Sequence, residues 1–294
     1  MRGREPWLVW LLVGVVAVEI LVTYARLPAR ELYHVTGSGL DGGASRLLVF
    51  LNFPVALIAI AIVAIVFEHL RSGLLQATAV AAVCLCAPVF WPGVVDQADL
   101  DARWVNIPCA VGVGLAVLLT LAGAVGRTAS GARGDRVRVG LAVLALLAAP
   151  TWIAAELGFF LDGVPLLGRV YQSGKHVPQA AGLPPFPPAV HHGHHHGMDG
   201  VLLVLAALLL SRALPTVRAR ALRQATAAYL ALMLAYGAGN IANDFWLEQV
   251  VQRGWTSWAI PSVLEPRATW GWAAIVACAF LAWLGWFGRQ TSRP

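Results

Sequence analysis

The sequence predicts an all-α integral membrane protein, a single polytopic domain of about eight transmembrane helices. Three observations lead there. Of 294 residues, 59% are hydrophobic and 12% are charged, with a mean hydropathy of +0.70; a soluble domain carries about a quarter charged residues. The apolar residues fall in blocks of the length a hydrocarbon core requires, about 20 residues at 1.5 Å each. Basic residues gather in alternate connections between those blocks, as the positive-inside bias requires.

In chain order the expected spans are Trp7 to Arg26, Leu47 to Phe67, Leu74 to Trp91, Cys109 to Gly126, Val139 to Leu161, Asp199 to Leu214, Gln224 to Asn243 and Trp270 to Phe287. The first follows Met1-Arg2-Gly3-Arg4 and so resembles a secretory signal. A signal has an apolar region of about 7–15 residues and a small-residue cleavage site. This run is longer, contains Glu19, and ends in Tyr24-Ala25-Arg26, so it reads as a retained helix. The sixth block is short, and its helix is expected to begin before Asp199.

Charge sets the expected orientation. The net charge is +6 and the pI is near 9.6, values that also occur in nucleic-acid-binding proteins. Here, however, 13 of the 21 basic residues fall in the segments that alternate with the long loops, among them Arg127, Arg133, Arg136 and Arg138, and Arg212, Arg218, Arg220 and Arg223. Placed inside, they put both termini in the cytoplasm of a cell (plasma) membrane. Short clamps at helix ends do not make a basic face, so no nucleic-acid partner is expected. Trp7, Trp10, Trp283 and Trp286 then fall at the inner interface, and Trp91, Trp104, Trp246, Trp255, Trp258, Trp270 and Trp272 at or beyond the outer one, where indoles anchor. Trp152 lies deeper and reads as packing.

The inner connections are brief, whereas the outer ones, Leu27 to Arg46, Pro92 to Pro108, Asp162 to Met198 and Asp244 to Thr269, are long enough to cap the bundle. The glycine-rich stretch Gly37 to Gly43 lacks the Gly-Lys-Ser/Thr ending of a phosphate loop and reads as a flexible loop. No nucleophile elbow or His-Glu-x-x-His motif occurs. Cys84, Cys86, Cys109 and Cys278 all fall in expected spans and read as small core residues rather than a disulfide framework.

Polar residues within the spans concentrate at one end. A carboxylate at mid-bilayer costs about 2.5–3.5 kcal/mol on insertion scales, so each needs a reason. Glu19, Asn52, Glu156, Asp199, Asn240, Asn243 and Asp244 all fall in the outer halves of their helices. Asn240, Asn243 and Asp244 are three and four residues apart and share a helical face, which Tyr236 and Glu248 extend if the helix continues. Amide hydrogen bonds between helices would account for the asparagines equally well. Glu19, Glu156 and Asp244 are the candidate catalytic carboxylates; Asn52, Asn240 and Asn243 are the candidate binding amides.

The sharpest local feature is His191-His192-Gly193-His194-His195-His196-Gly197-Met198-Asp199, with five of the eight histidines in six residues. If a helix starts near Ala189, then His192, His195, His196 and Asp199 share one face. Imidazoles and a carboxylate so spaced can close on one copper, zinc or nickel ion. His191 and His194 would point elsewhere, as entry ligands. A disordered tract that picks up metal adventitiously, or a pH sensor, uses the same residues. The run His196-Gly197-Met198-Asp199-Gly200 resembles the helix start of nickel-associated membrane proteins of the HupE/UreJ type, with Gly200 where that pattern has a second histidine. The resemblance covers this helix start alone.

The leading expectation is therefore a multi-pass membrane protein with an outer-leaflet polar and metal-binding site. The alternatives are a membrane-embedded metal-dependent enzyme acting on a lipid or quinone-like substrate, a metal or proton-linked transporter, and a noncatalytic subunit of a membrane complex. The expected partners are the bilayer, a metal ion and other membrane subunits.

Overall fold

The computed structural model describes residues 3–26, 36–91, 93–94, 99–123, 132, 134–156, 165, 196–251 and 253–288, with backbone only at 151 and 154–156. Among the described residues every regular element is a helix. We label them α1 (Glu5–Arg26), α2 (Gly39–Phe50), α3 (Ala56–Val66), α4 (Gly73–Cys86), α5 (Asn106–Ala122), α6 (Asp135–Glu156), α7 (His196–Ser211), α8 (Arg220–Phe245) and α9 (Trp270–Ala282). Wide-turn segments extend α8 through Trp246–Val251 and α9 through Trp283–Phe287.

Among the described residues, five stretches are long and apolar enough to cross a membrane: Glu5–Arg26, Gly39–His69, Gly73–Phe90, Arg220–Val251 and Trp270–Phe287. Shorter apolar helices are Asn106–Ala122 and His196–Ser211. The surface agrees with this reading. Leu8, Leu11, Val15, Val18 and Val22 form an exposed apolar stripe on α1, and Val276, Phe280, Leu281 and Leu284 do the same on α9. Isolated exposed apolar residues are ordinary in soluble proteins; whole helical faces of them are not.

The core forms around α3. Its sequence, Ala-Leu-Ile-Ala-Ile-Ala-Ile-Val-Ala-Ile-Val, is apolar on all sides, as a helix surrounded by others must be. It packs on α4, α5, α7 and α8, while α7 pairs with α8 most extensively. Upstream, α2 and α3 form one path broken at Leu51–Val55, where Phe53 is extended (φ −148°, ψ 121°) ahead of Pro54. Proline lacks an N–H and pushes the preceding residue out of the helical region, so the break follows from sequence. The 31 residues from Gly39 to His69 would span about 46 Å as a straight helix. That exceeds a hydrocarbon core of about 30 Å.

One expectation is corrected here. The glycine-rich stretch is not all loop, because α2 starts at Gly39. Its glycines serve packing: a Cβ on Gly43 would lie 2.7 Å from the Leu21 carbonyl oxygen of α1. Hydropathy does not register a helix start that is buried by closeness rather than by side-chain size.

The two ends of the bundle are defined by contacts across it. At the arginine end, Arg138 Nε donates to Ser211 Oγ at 2.8 Å and its Nη1 pairs with Asp135 at 2.9 Å. Arg212 lies 3.6 Å from Asp135 and 3.8 Å from Glu5, joining α7 to α6 and α1. Both oxygens of Glu68 accept backbone N–H groups, from Arg218 and Ala219, just before α8 begins. That carboxylate complements the positive end of the α8 dipole. The opposite end carries Asn52, Asp199 and Asn240.

Candidate functional site

The site is built on the start of α7. A helix begins with backbone N–H groups that lack intrahelical partners. One of them, at Gly197, donates to Asp244 Oδ2 of α8 at 2.9 Å. Asp199 in the same first turn is buried, and two carboxylates suit the positive end of the helix dipole. Glycine is required at this crossing. A Cβ on Gly197 would fall 2.1 Å from Trp152 Cε2, and Cβ atoms on Gly200 and Gly237 would lie 2.6 and 2.7 Å from each other's carbonyl oxygens. Small residues let helices approach this closely, so the α7 start is clamped between α6 and α8.

From α8 the expected stripe is present: Tyr236, Asn240, Asn243, Asp244 and Glu248 are all buried, and the helical path runs on to Val251. Their roles differ. Tyr236 O–H donates to the Leu264 carbonyl at 2.5 Å, and Asn243 Nδ2 donates to the carbonyls of Ile260 and Pro261 at 3.3 and 3.4 Å. These two fasten the loop after α8 over the end of the bundle. Asn240 Nδ2 donates to the Tyr236 carbonyl at 2.9 Å, while its Oδ1 is enclosed without a donor among the described residues. Asn52, in the break between α2 and α3, repeats the pattern. Its Nδ2 donates to the Leu48 and Asn106 carbonyls, both at 3.0 Å, and its Oδ1 is enclosed without a donor among the described residues. Carbonyl acceptors on the nitrogen fix each amide's orientation, because a flip would set oxygen against oxygen. A buried orphan acceptor calls for a water, a donor group or a cation.

The remaining expected residues are placed unequally. Glu19 is half-buried on α1, where Thr23 Oγ1 donates to its Oε1 at 3.2 Å within the same helix. Helix α1 packs on α2 and α7. Glu156 closes α6, and its side chain lies outside the described residues. His191, His192, His194 and His195 also lie outside them. His196 opens α7, one turn before Asp199. Among the described residues no three His, Cys, Asp or Glu side chains are grouped to hold a metal ion. The expected ligands His191, His192, His194 and His195 are outside that set.

The cysteines need a correction. Cys86 and Cys109 are buried against each other's backbone, with each thiol 4.0 and 3.9 Å from the other's carbonyl oxygen. Cys84 and Cys278 are exposed, so only two of the four are core residues. Residues two apart on a helix point to different sides, and Cys84 takes the outward one.

A feature that sequence reasoning missed is an apolar cavity beside this site, about 230 Å³, walled by Leu57, Val89, Phe90, Tyr229, Tyr236 and Trp272 among others. The signal was present: Tyr229 and Tyr236 are seven apart on α8 and so share a face. The fold and site define, among the described residues, an all-helical protein with membrane-length apolar helices and buried polar groups at both ends. Compared with known proteins, the chain matches no family model, no curated protein and no solved structure.

Proposed function

We propose that the chain is an eight-span plasma-membrane protein with both termini cytoplasmic, which binds a divalent transition metal at its extracytoplasmic end. Three further helices, Asn106–Ala122, Asp135–Glu156 and His196–Ser211, join the five long stretches to make the eight spans. The arginine end faces the cytoplasm. The ion, copper or zinc with nickel as a third candidate, is held by His192, His195, His196 and Asp199, with His191 and His194 at the entry.

The observation that carries this reading is Asp199. It is buried in the first turn of the helix that the histidine run leads into, and that turn is fixed by Asp244 and by Trp152. A fixed carboxylate beside a histidine run is what a specific site requires of its supporting shell.

The test is metal content of protein purified without an affinity tag, beside a triple variant His192→Ala, His195→Ala and His196→Ala. One ion per chain, lost in the variant, is the expected result. Equal substoichiometric metal in both proteins would end the metal reading. The identity of the ion then separates copper redox chemistry from zinc-assisted hydrolysis.

A membrane-embedded enzyme acting on a lipid or quinone-like substrate is the second reading. Its general acid and base would be drawn from Glu19, Glu156 and Asp244, and the orphan oxygens of Asn52 and Asn240 favour it as binding groups. A transporter needs polar groups along a path through the bundle. The central helix α3 carries none, which counts against transport. A noncatalytic subunit is supported only by exposed tryptophans at the outer rim, such as Trp104 and Trp255.

A further inference from the structure

We propose that the arginine end of α3, α4 and α8 binds the phosphate of an anionic phospholipid through Arg71, Arg218 and Arg220. Such a lipid site requires that the chain lies in a bilayer, but neither the metal site nor a particular leaflet for the arginines.

One carboxylate brings these arginines together. Glu68, just past the end of α3, accepts the backbone N–H groups of Arg218 and Ala219. Arg71 follows Glu68 by three residues, and Ser72 then caps α4 by accepting the Leu75 N–H at 3.2 Å. Arg220 is the first residue of α8. Two helices therefore start beside Glu68, each with its positive dipole end here.

The positive charge at this point is left over. Arg71, Arg218 and Arg220 are exposed, and among the described residues none of the three is in an ion pair. Glu68 spends both oxygens on backbone. The other described carboxylates of this end, Glu5 and Asp135, face Arg138 and Arg212. Arg223, one turn into α8, is turned back to the Val217 carbonyl at 3.3 Å. Helix α8 opens on Ala219, and no side chain caps its first N–H groups. Guanidinium groups beside uncapped helix N–H groups are donors of the kind that phosphate oxygens accept.

The surface next to the patch selects a lipid over a soluble anion. The exposed residues that follow are Leu74, Ala77 and Val80 on α4, and Ala221 and Ala225 on α8, with no charge among them. A free phosphate makes no use of that apolar margin. A phospholipid matches both parts, its phosphate on the arginines and its acyl chains along the two helices.

The experiment titrates the full chain, in a neutral detergent, with phosphatidylglycerol and separately with phosphatidylcholine, and counts bound lipid by native mass spectrometry. Phosphatidylglycerol should bind saturably and about 10-fold or more tightly than phosphatidylcholine, and less tightly as salt rises. Arg71→Gln, Arg218→Gln and Arg220→Gln should each weaken it about 5-fold, the size expected for one basic side chain at an anionic surface, and together about 100-fold. Arg103→Gln and Arg267→Gln alter arginines of the opposite end and should leave affinity unchanged. Thermal unfolding should stay cooperative in every variant. Equal affinity in the wild type and the triple variant would overturn the proposal, and so would equal affinity for the two lipids. Glycerol phosphate binding as tightly as the lipid would overturn the lipid as occupant. Metal content measured on the same samples keeps the outcome separate from that of the metal site.

Discussion

The charged side chains at the two ends of this bundle are held in different ways. At the arginine end, charges pair across helices: Arg138 with Asp135 and Ser211, Arg212 with Asp135 and Glu5, and Glu68 with the backbone ahead of α8. At the histidine end, Asn52 and Asn240 are enclosed with their amide oxygens unmet, and a carboxylate, Asp244, caps a neighbouring helix. Pairing holds helix ends in place. An unmet acceptor adds nothing to that hold.

Five substitutions can break or sharpen that contrast, each read by thermal unfolding in detergent or nanodiscs. The largest effect is expected at the α7–α8 crossing. Gly200→Val drives a side chain into the Gly237 carbonyl and should cost about 3 kcal/mol or prevent folding. Gly140, which has open space around it, should accept alanine without loss. Next, Arg138→Leu removes the centre of the arginine-end network and should cost about 2 kcal/mol, less than a fully buried pair because Asp135 is partly exposed. Asp244→Asn keeps an acceptor for the Gly197 N–H but removes its charge from the helix start, a loss of about 1 kcal/mol. Asn240→Leu should change stability by less than about 0.5 kcal/mol in either direction, since an unmet amide oxygen goes with it. If Asn240→Leu destabilised as much as Arg138→Leu, the two ends would not differ in kind.

The helices were legible because apolar blocks are local, and the spacing of Asn240, Asn243 and Asp244 marked a shared buried face. The expected span Leu47 to Phe67, by contrast, runs straight through Pro54, where the structure breaks α2 from α3. What escaped was set by partners distant in sequence. Arg138 and Ser211 meet across 73 residues, and a sequence shows the arginine as a clamp without naming its acceptor. Gly43 read as part of a flexible loop, but it is a point where two backbones nearly touch, as Gly200 is. Trp272 read as an interfacial anchor, while its indole forms part of a cavity wall. Cys84 and Cys86 illustrate the limit of composition, since apolar residues in so apolar a helix face outward as readily as core.

Trp152 sits with its indole ring against the Gly197 backbone and almost no exposure. A fluorophore seated there reports optically on the first turn of α7. The difference in emission between the wild type and Trp152→Phe would come from that one spot among twelve tryptophans. Any ion or proton that alters the helix start would therefore be visible as a spectral shift, with no label attached.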